Sequence, residues 1–291
     1  MTDAGRLPRW LPVAGLLGCA VSLGSGHVCA RLAFHHGVNL LTASTLRAGC
    51  ASLVVGLLLL ARGGARTLSR REFAGTVGLG VCVVGQTLLV QTAVKLLPVT
   101  LALLLFYTYP LFTAITAALL GDQHLTRRLT GALLAAFAGL GLVLGVSPAA
   151  VNPLGVASAI GAALVFTGTL TLTPRLAPAV AAPLRTFLMM STATAIIGVT
   201  TVMSGNVEWP GSPIAWAGLA GLCVLYGLGI VGLFLLLPRM GPVQTAVVLN
   251  MEPVFVAFIA WATLGERLSA MQMAGAAIVV AAVMSTQIRR S

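Results

Sequence analysis

A carboxylate inside an apolar segment is the strongest chemical signal in this sequence. Glu252 stands in Leu249-Asn250-Met251-Glu252-Pro253-Val254-Phe255, inside the otherwise uncharged stretch 243–264. A carboxylate at the centre of a bilayer costs at least ~2.5–3.5 kcal/mol, so it must face a cavity or a partner. Two chemistries fit. Glu252 serves as a proton-coupling or amine-binding group in a pore, or it pairs with an arginine or a backbone group where Pro253 kinks the helix. Arg47 and Arg185 form a second signal, because each follows a leucine near the start of an apolar stretch. As matched cations they suit a substrate carboxylate or gates at opposite mouths. The plainer alternatives are snorkelling to headgroups or an interhelical salt bridge. A third set is uncharged or weakly basic: His27, Gln86, Gln91, Tyr107, Tyr109, Tyr226, Gln244 and Asn250. Polar side chains facing lipid have no partner there, so these are expected to point inward, as pathway lining or as interhelical hydrogen bonds.

Other chemistries find no support. The five cysteines (Cys19, Cys29, Cys50, Cys82, Cys223) are scattered through apolar stretches without a C-x-x-C pair, so they read as small packing residues. Gly227-x-Gly229-x-x-Gly232 matches the dinucleotide fingerprint in letters alone. No strand precedes it and no βαβ unit contains it. Gly24-Ser25-Gly26-His27 invites a hydrolase reading, yet residues two apart on a helix do not face each other. No P-loop, H-E-x-x-H or metal-ligand cluster occurs, so neither a cofactor nor a metal is expected, and the chain alone has no means of hydrolysing ATP. Thr167, Thr169, Thr171 and Thr173 alternate, which no single helix face can hold. They are expected to satisfy backbone carbonyls. Gly131, Ala135 and Gly139 put a flat packing face on one span.

The elements that hold these residues follow from composition. The chain has 291 residues, is 58% hydrophobic and 8% charged, and has a mean hydropathy of +1.02. That excludes disorder and leaves too little polar surface for a water-soluble fold. A bilayer crossing takes about 20 apolar residues. Ten such stretches run at 11–33, 40–61, 73–95, 99–120, 129–147, 153–173, 183–203, 213–237, 243–264 and 270–287. The stretch 40–61 does not alternate in polarity as a barrel strand does, so helices are the reading. The first runs past signal-peptide length and is taken as a retained span. The expectation is an all-α polytopic membrane protein with ten transmembrane helices.

The net charge of +11 has a place in that arrangement. With the N-terminus inside, twelve of the 17 cationic residues fall at cytoplasmic ends: Arg6, Arg9, Arg62, Arg66, Arg70, Arg71, Arg127, Arg128, Arg175, Arg239, Arg289 and Arg290. Arg31, Lys95 and Arg267 fall outside. The bias puts both termini on the cytoplasmic side. Trp10, Trp209, Trp216 and Trp261 lie near span ends, where amphipathic rings are favoured. Nucleic acid is not an expected partner; the bilayer is.

The sequence also repeats itself. Arg31 matches Arg175, Lys95-x-x-Pro98 matches Arg239-x-x-Pro242, and Tyr109-Pro110 matches Glu252-Pro253. Gly121-Asp122 matches Gly265-Glu266, and Gly131 matches Gly275, all at offsets of 143 or 144 residues. Each half holds five spans, an odd number, so the halves enter the membrane from opposite sides. The halves are bounded at 10–148 and 152–288. Two inverted repeats are suited to alternating access.

The stretch 249–255, then Leu264-Gly265-Glu266-Arg267-Leu268 and Met273-Ala274-Gly275-Ala276-Ala277-Ile278, resembles the end of an EamA domain. Tyr109-Pro110-Leu111-Phe112, Leu120-Gly121-Asp122, Leu125-Thr126 and Gly131 form its weaker counterpart in the first half. The whole chain is similar to a drug/metabolite transporter superfamily permease with two tandem EamA domains. That resemblance implies ten helices, a cytoplasmic-membrane location and export of small metabolites or drugs, as a monomer or homodimer. The expected function is secondary transport, with proton or ion coupling and no enzymatic activity. A membrane-embedded enzyme or lipid-handling protein is the alternative, for which no catalytic constellation is present.

Overall fold

The computed structural model describes residues 10–61, 67–97, 99–145, 152–205, 207–264 and 269–287. Among them every regular element is a helix. The order is α1 (Trp10–His35), α2 (Leu40–Ala61), α3 (Arg70–Leu96), α4 (Val99–Phe106), α5 (Tyr109–Leu119) and α6 (Arg127–Leu144) in the first half. The second half holds α7 (Pro153–Leu176), α8 (Ala182–Met203), α9 (Pro213–Met240), α10 (Pro242–Leu249), α11 (Glu252–Leu264) and α12 (Ala270–Gln287). Among the described residues nine helical stretches are long and apolar enough to cross a bilayer, and Ala270–Thr286 is a shorter apolar helix.

Several helix starts carry their own polar stop. Ser69 closes a capping box: its hydroxyl accepts from the Glu72 amide, and the Glu72 carboxylate accepts from the Ser69 amide at 2.9 Å. Asn152 caps α7 by accepting from Leu154 and Gly155. Thr126 and Ser212 do the same for α6 and α9. Each cap satisfies amides that lipid leaves bare.

The long contacts run between the halves. α1 lies along α9, α3 along α7, α2 across α8, and α6 against α12. Counting spans within each half, first meets third, third meets first, second meets second and fifth meets fifth. Exchanging the halves leaves this pattern unchanged, as two inverted five-span repeats require. Neither half packs as a separate bundle. One core takes Leu16, Leu79 and Leu140 from the first half and Leu170, Met189 and Phe234 from the second.

Small residues make these contacts close. A methyl group at Gly218 stands 2.9 Å from the Cys29 carbonyl, and one at Gly229 meets Leu23 and the Cys19 carbonyl. Of the glycines that mimic a dinucleotide fingerprint, Gly229 and Gly232 thus belong to the seam between α9 and α1, and Gly227 faces Ala51 of α2. Lipid supplies no hydrophobic drive between helices, so close van der Waals approach supplies the cohesion. The flat face expected on the fifth span is corrected in part. Gly139 meets Gly275 of α12, whereas Gly131 has nothing within 4 Å.

Two expected spans are not continuous. The stretch 99–120 divides into α4 and α5 at Tyr107-Thr108, and 243–264 divides into α10 and α11 at Asn250-Met251. The interruptions occupy matching places in the two halves. Pro110 and Pro253 each stand second in the following helix and have no amide for the turn before. Short-range bonds carry the chain through, Thr108 to Leu105 and Met251 to Val248 among them. The single kink expected at Pro253 is thus a full turn, and it has a counterpart at Pro110.

Candidate functional site

Glu252 is the first residue of α11, so its carboxylate sits at the positive end of a half-helix. Its side chain is 12% exposed, and Oε1 lies 2.9 Å from His27 Nε2 on α1. The imidazole N–H donates and the carboxylate accepts. The Tyr107 side chain, buried at the break in the first half, lies close to the same carboxylate. One acid therefore stands between α1 and the opposite interruption.

The local sequence explains how His27 arrives there. A methyl group at Gly24 stands 3.1 Å from Val256 and 3.2 Å from the Glu252 carbonyl. Gly26, half a turn on, faces Leu225 and Tyr226 of α9. The two glycines seat α1 between α11 and α9, and His27 follows immediately. Ser25 only donates back to the Val21 carbonyl at 2.8 Å. The Gly24-Ser25-Gly26-His27 stretch is a packing device that aims an imidazole. The spacing of its glycines was the available signal.

Aromatic rings close the region beneath. Phe106, Tyr107, Tyr109 and Phe166 form one cluster, with Tyr109 and Phe166 edge to face at 4.8 Å. Tyr109 is fully buried. Its carbonyl, at the break, accepts from Thr113 at 2.7 Å and from Thr167 of α7 at 3.1 Å. Thr169, Thr171 and Thr173 bond carbonyls one turn back. The alternating threonines satisfy backbone, with Thr167 securing the interruption from a neighbouring helix.

Arg47 lies over the Tyr226 ring, 4.5 Å from its centroid. Tyr226 backs onto Gly26, so this cation–aromatic pair borders the His27–Glu252 pair. Asn250 sits in the interruption itself, 2% exposed, with no hydrogen-bond partner for Oδ1. Gln86 is half-buried on α3. Gln91 reaches Ser44 at 3.4 Å, and Gln244 is buried on α10. Arg185 does not join this group. It is 2% exposed in the first turn of α8 and donates to the Ala177 carbonyl at 3.3 Å. The pairing with Arg47 is one of sequence position, with a ring facing one cation and backbone facing the other.

At one end of the bundle Arg175 grips Asp122 with two bonds of 2.6 and 2.7 Å, tying the end of α7 to the turn after α5. The repeat gives Arg31 and Glu266 as sequence counterparts; Glu266 lies outside the described residues. Arg6, Arg9, Arg62, Arg66, Arg267, Arg289 and Arg290 lie outside them too. Among the described residues no three His, Cys, Asp or Glu side chains converge as metal ligands.

The sequence matches the EamA-like transporter family twice, over residues 10–145 and 153–286. The chain belongs to that family. It is a multi-pass membrane transporter of small molecules. No curated protein matches this EamA-like transporter in sequence. A protein known from its crystal structure shares the fold at a TM-score of 0.82 and 19% identity, over 94% of this chain and 98% of that one.

Proposed function

We propose that this transporter is a secondary exporter of small amphiphilic metabolites or drugs, working by alternating access in the cytoplasmic membrane. The observation that carries this is the Glu252 carboxylate at a mid-span interruption, bonded to His27 across 2.9 Å with the buried Tyr107 close by. Discontinuous helices at a repeat interface are where transporters of this architecture build binding sites. Glu252 and His27 exchange a proton against substrate. The Asn250 Oδ1, buried and unpaired, accepts from a substrate N–H. The Tyr107 and Tyr109 rings and the Arg47–Tyr226 pair contact its apolar body and its charge. Reconstitution in liposomes tests the reading. Labelled organic solutes are expected to show counterflow without nucleotide. A broad panel giving no flux in either direction overturns it.

We place both termini and the Arg175–Asp122 end on the cytoplasmic side, because the arginines collect there. In a chain freed of native cysteines, thiols introduced at Arg128 and at His36 should label from opposite sides. Labelling from one side rejects the arrangement.

The Arg175–Asp122 pair holds the cytoplasmic end closed in this state. Both side chains are about one-third exposed, so the pair contributes about 1 kcal/mol or less to stability. That shifts a two-state population by up to roughly fivefold. Asp122→Arg is expected to cut flux by up to about that factor, and the swap Asp122→Arg/Arg175→Asp to restore it. A double variant as slow as the single one rejects the gate.

A further inference from the structure

At the same end of the bundle, α7, α8 and α9 enclose a groove of about 350 Å³. Pro174, Pro178, Ala182, Arg185, Pro238 and Arg239 line it, and none of its lining residues is acidic. Arg185 is 98% buried by its 2% exposure, yet its Nε and Nη2 have no hydrogen-bond partner. Its one bond is to a neutral carbonyl, that of Ala177. A buried guanidinium in this state is incomplete, since buried charges are paired and fully bonded. Its position adds to the imbalance. Arg185 stands in the first turn of α8, where the helix dipole is already positive, and no side chain caps that terminus. Arg239 brings a second, exposed guanidinium from the end of α9. Neighbouring acids are engaged elsewhere: Glu72, in the adjoining groove past Pro178, closes the Ser69 capping box, and Asp122 is held by Arg175.

We propose that this groove is a binding site for a phosphate-class oxyanion. Three sources of positive charge border the groove: the Nε and Nη2 of Arg185, the Arg239 guanidinium and the uncapped start of α8 at Ala182. A tetrahedral phosphate offers an oxygen to each, and a planar carboxylate has only two. The prolines and Leu235 give the groove apolar walls. The site is separate from the pathway at Glu252. Leu225 and Tyr226 of α9 back onto Gly26 beside His27, and Pro238 lies 12 to 13 residues further on, about 20 Å along the helix. Two sources supply the same chemistry, a phospholipid headgroup of the facing leaflet and free phosphate.

The test uses the full chain in maltoside micelles. Native mass spectrometry reads retained phosphatidylglycerol, and thermal unfolding reads stabilisation by inorganic phosphate. Retention of the lipid that excess phosphate does not displace identifies the headgroup. Stabilisation by phosphate alone identifies the free anion. In either case Arg185→Gln should weaken binding roughly tenfold or more, as loss of a charge-assisted bond does. Arg239→Gln, at an exposed position, should weaken it in the same direction without risk to folding. His27→Ala should leave binding unchanged. If neither probe binds, or if binding is the same in the wild type and in Arg239→Gln, the site does not exist.

Discussion

Glu252→Gln is expected to abolish the dependence of transport on a pH gradient while leaving the protein folded in the membrane. Glutamine keeps the length of the side chain and still accepts from His27. It cannot carry or release a proton. Bonds to a charged group contribute about 1.5–3 kcal/mol, so substrate exchange should also weaken, by roughly 10- to 100-fold if the carboxylate contacts substrate. His27→Ala separates the two contributions. If the pair acts as one unit, Glu252→Gln/His27→Ala is no worse than Glu252→Gln, since effects within one network do not add. Counterflow and gradient-driven uptake in the same liposomes give both readouts. Normal rates and an unchanged pH profile in Glu252→Gln would confine Glu252 to holding the α10–α11 turn.

The composition of the chain and the period of its repeat carry most of the architecture. Helices in lipid satisfy their own backbone, so apolar length alone marks a span. The partner of Glu252 was harder to read, because it is 225 residues away. Nothing in the letters around His27 points across that gap. The close approach at Gly24 helps bring the two helices together. The interruptions lie between these cases. Pro110 and Pro253 are visible, but a proline in a span is compatible with a kink or with a full turn. The outcome depends on outside support. At Tyr109 it is the Thr167 hydroxyl from α7, and a neighbouring helix cannot be seen in a local sequence. Arg47 and Arg185 make the same point in reverse. Their sequence positions match, but Tyr226 faces one and the Ala177 carbonyl the other.

The second large effect concerns cohesion, at the contact between the fifth spans. A methyl group at Gly275 stands 2.6 Å from the Gly139 carbonyl, 2.7 Å from Leu142 and 2.8 Å from the Val143 amide. Two of these are backbone atoms, which have no rotamer to retreat into. Gly275→Ala, Gly275→Val and Gly275→Leu should therefore lower thermal stability in that order. Overpacking a tight site costs about 1–3 kcal/mol, and the larger residues should reach the upper end by prising α12 from α6. Gly131 supplies the control. It is the sequence counterpart of Gly275 and shares a stripe with Gly139, but it has open space around it. Gly131→Leu should stay within about 0.5 kcal/mol of the wild type, as changes away from tight contacts do. Sequence symmetry alone assigns both glycines the same sensitivity, whereas the crossing of α6 and α12 assigns it to one. Unfolding of the purified variants in detergent measures the difference. Equal losses at Gly131 and Gly275 would mean that the helices do not cross where Gly139 and Gly275 meet.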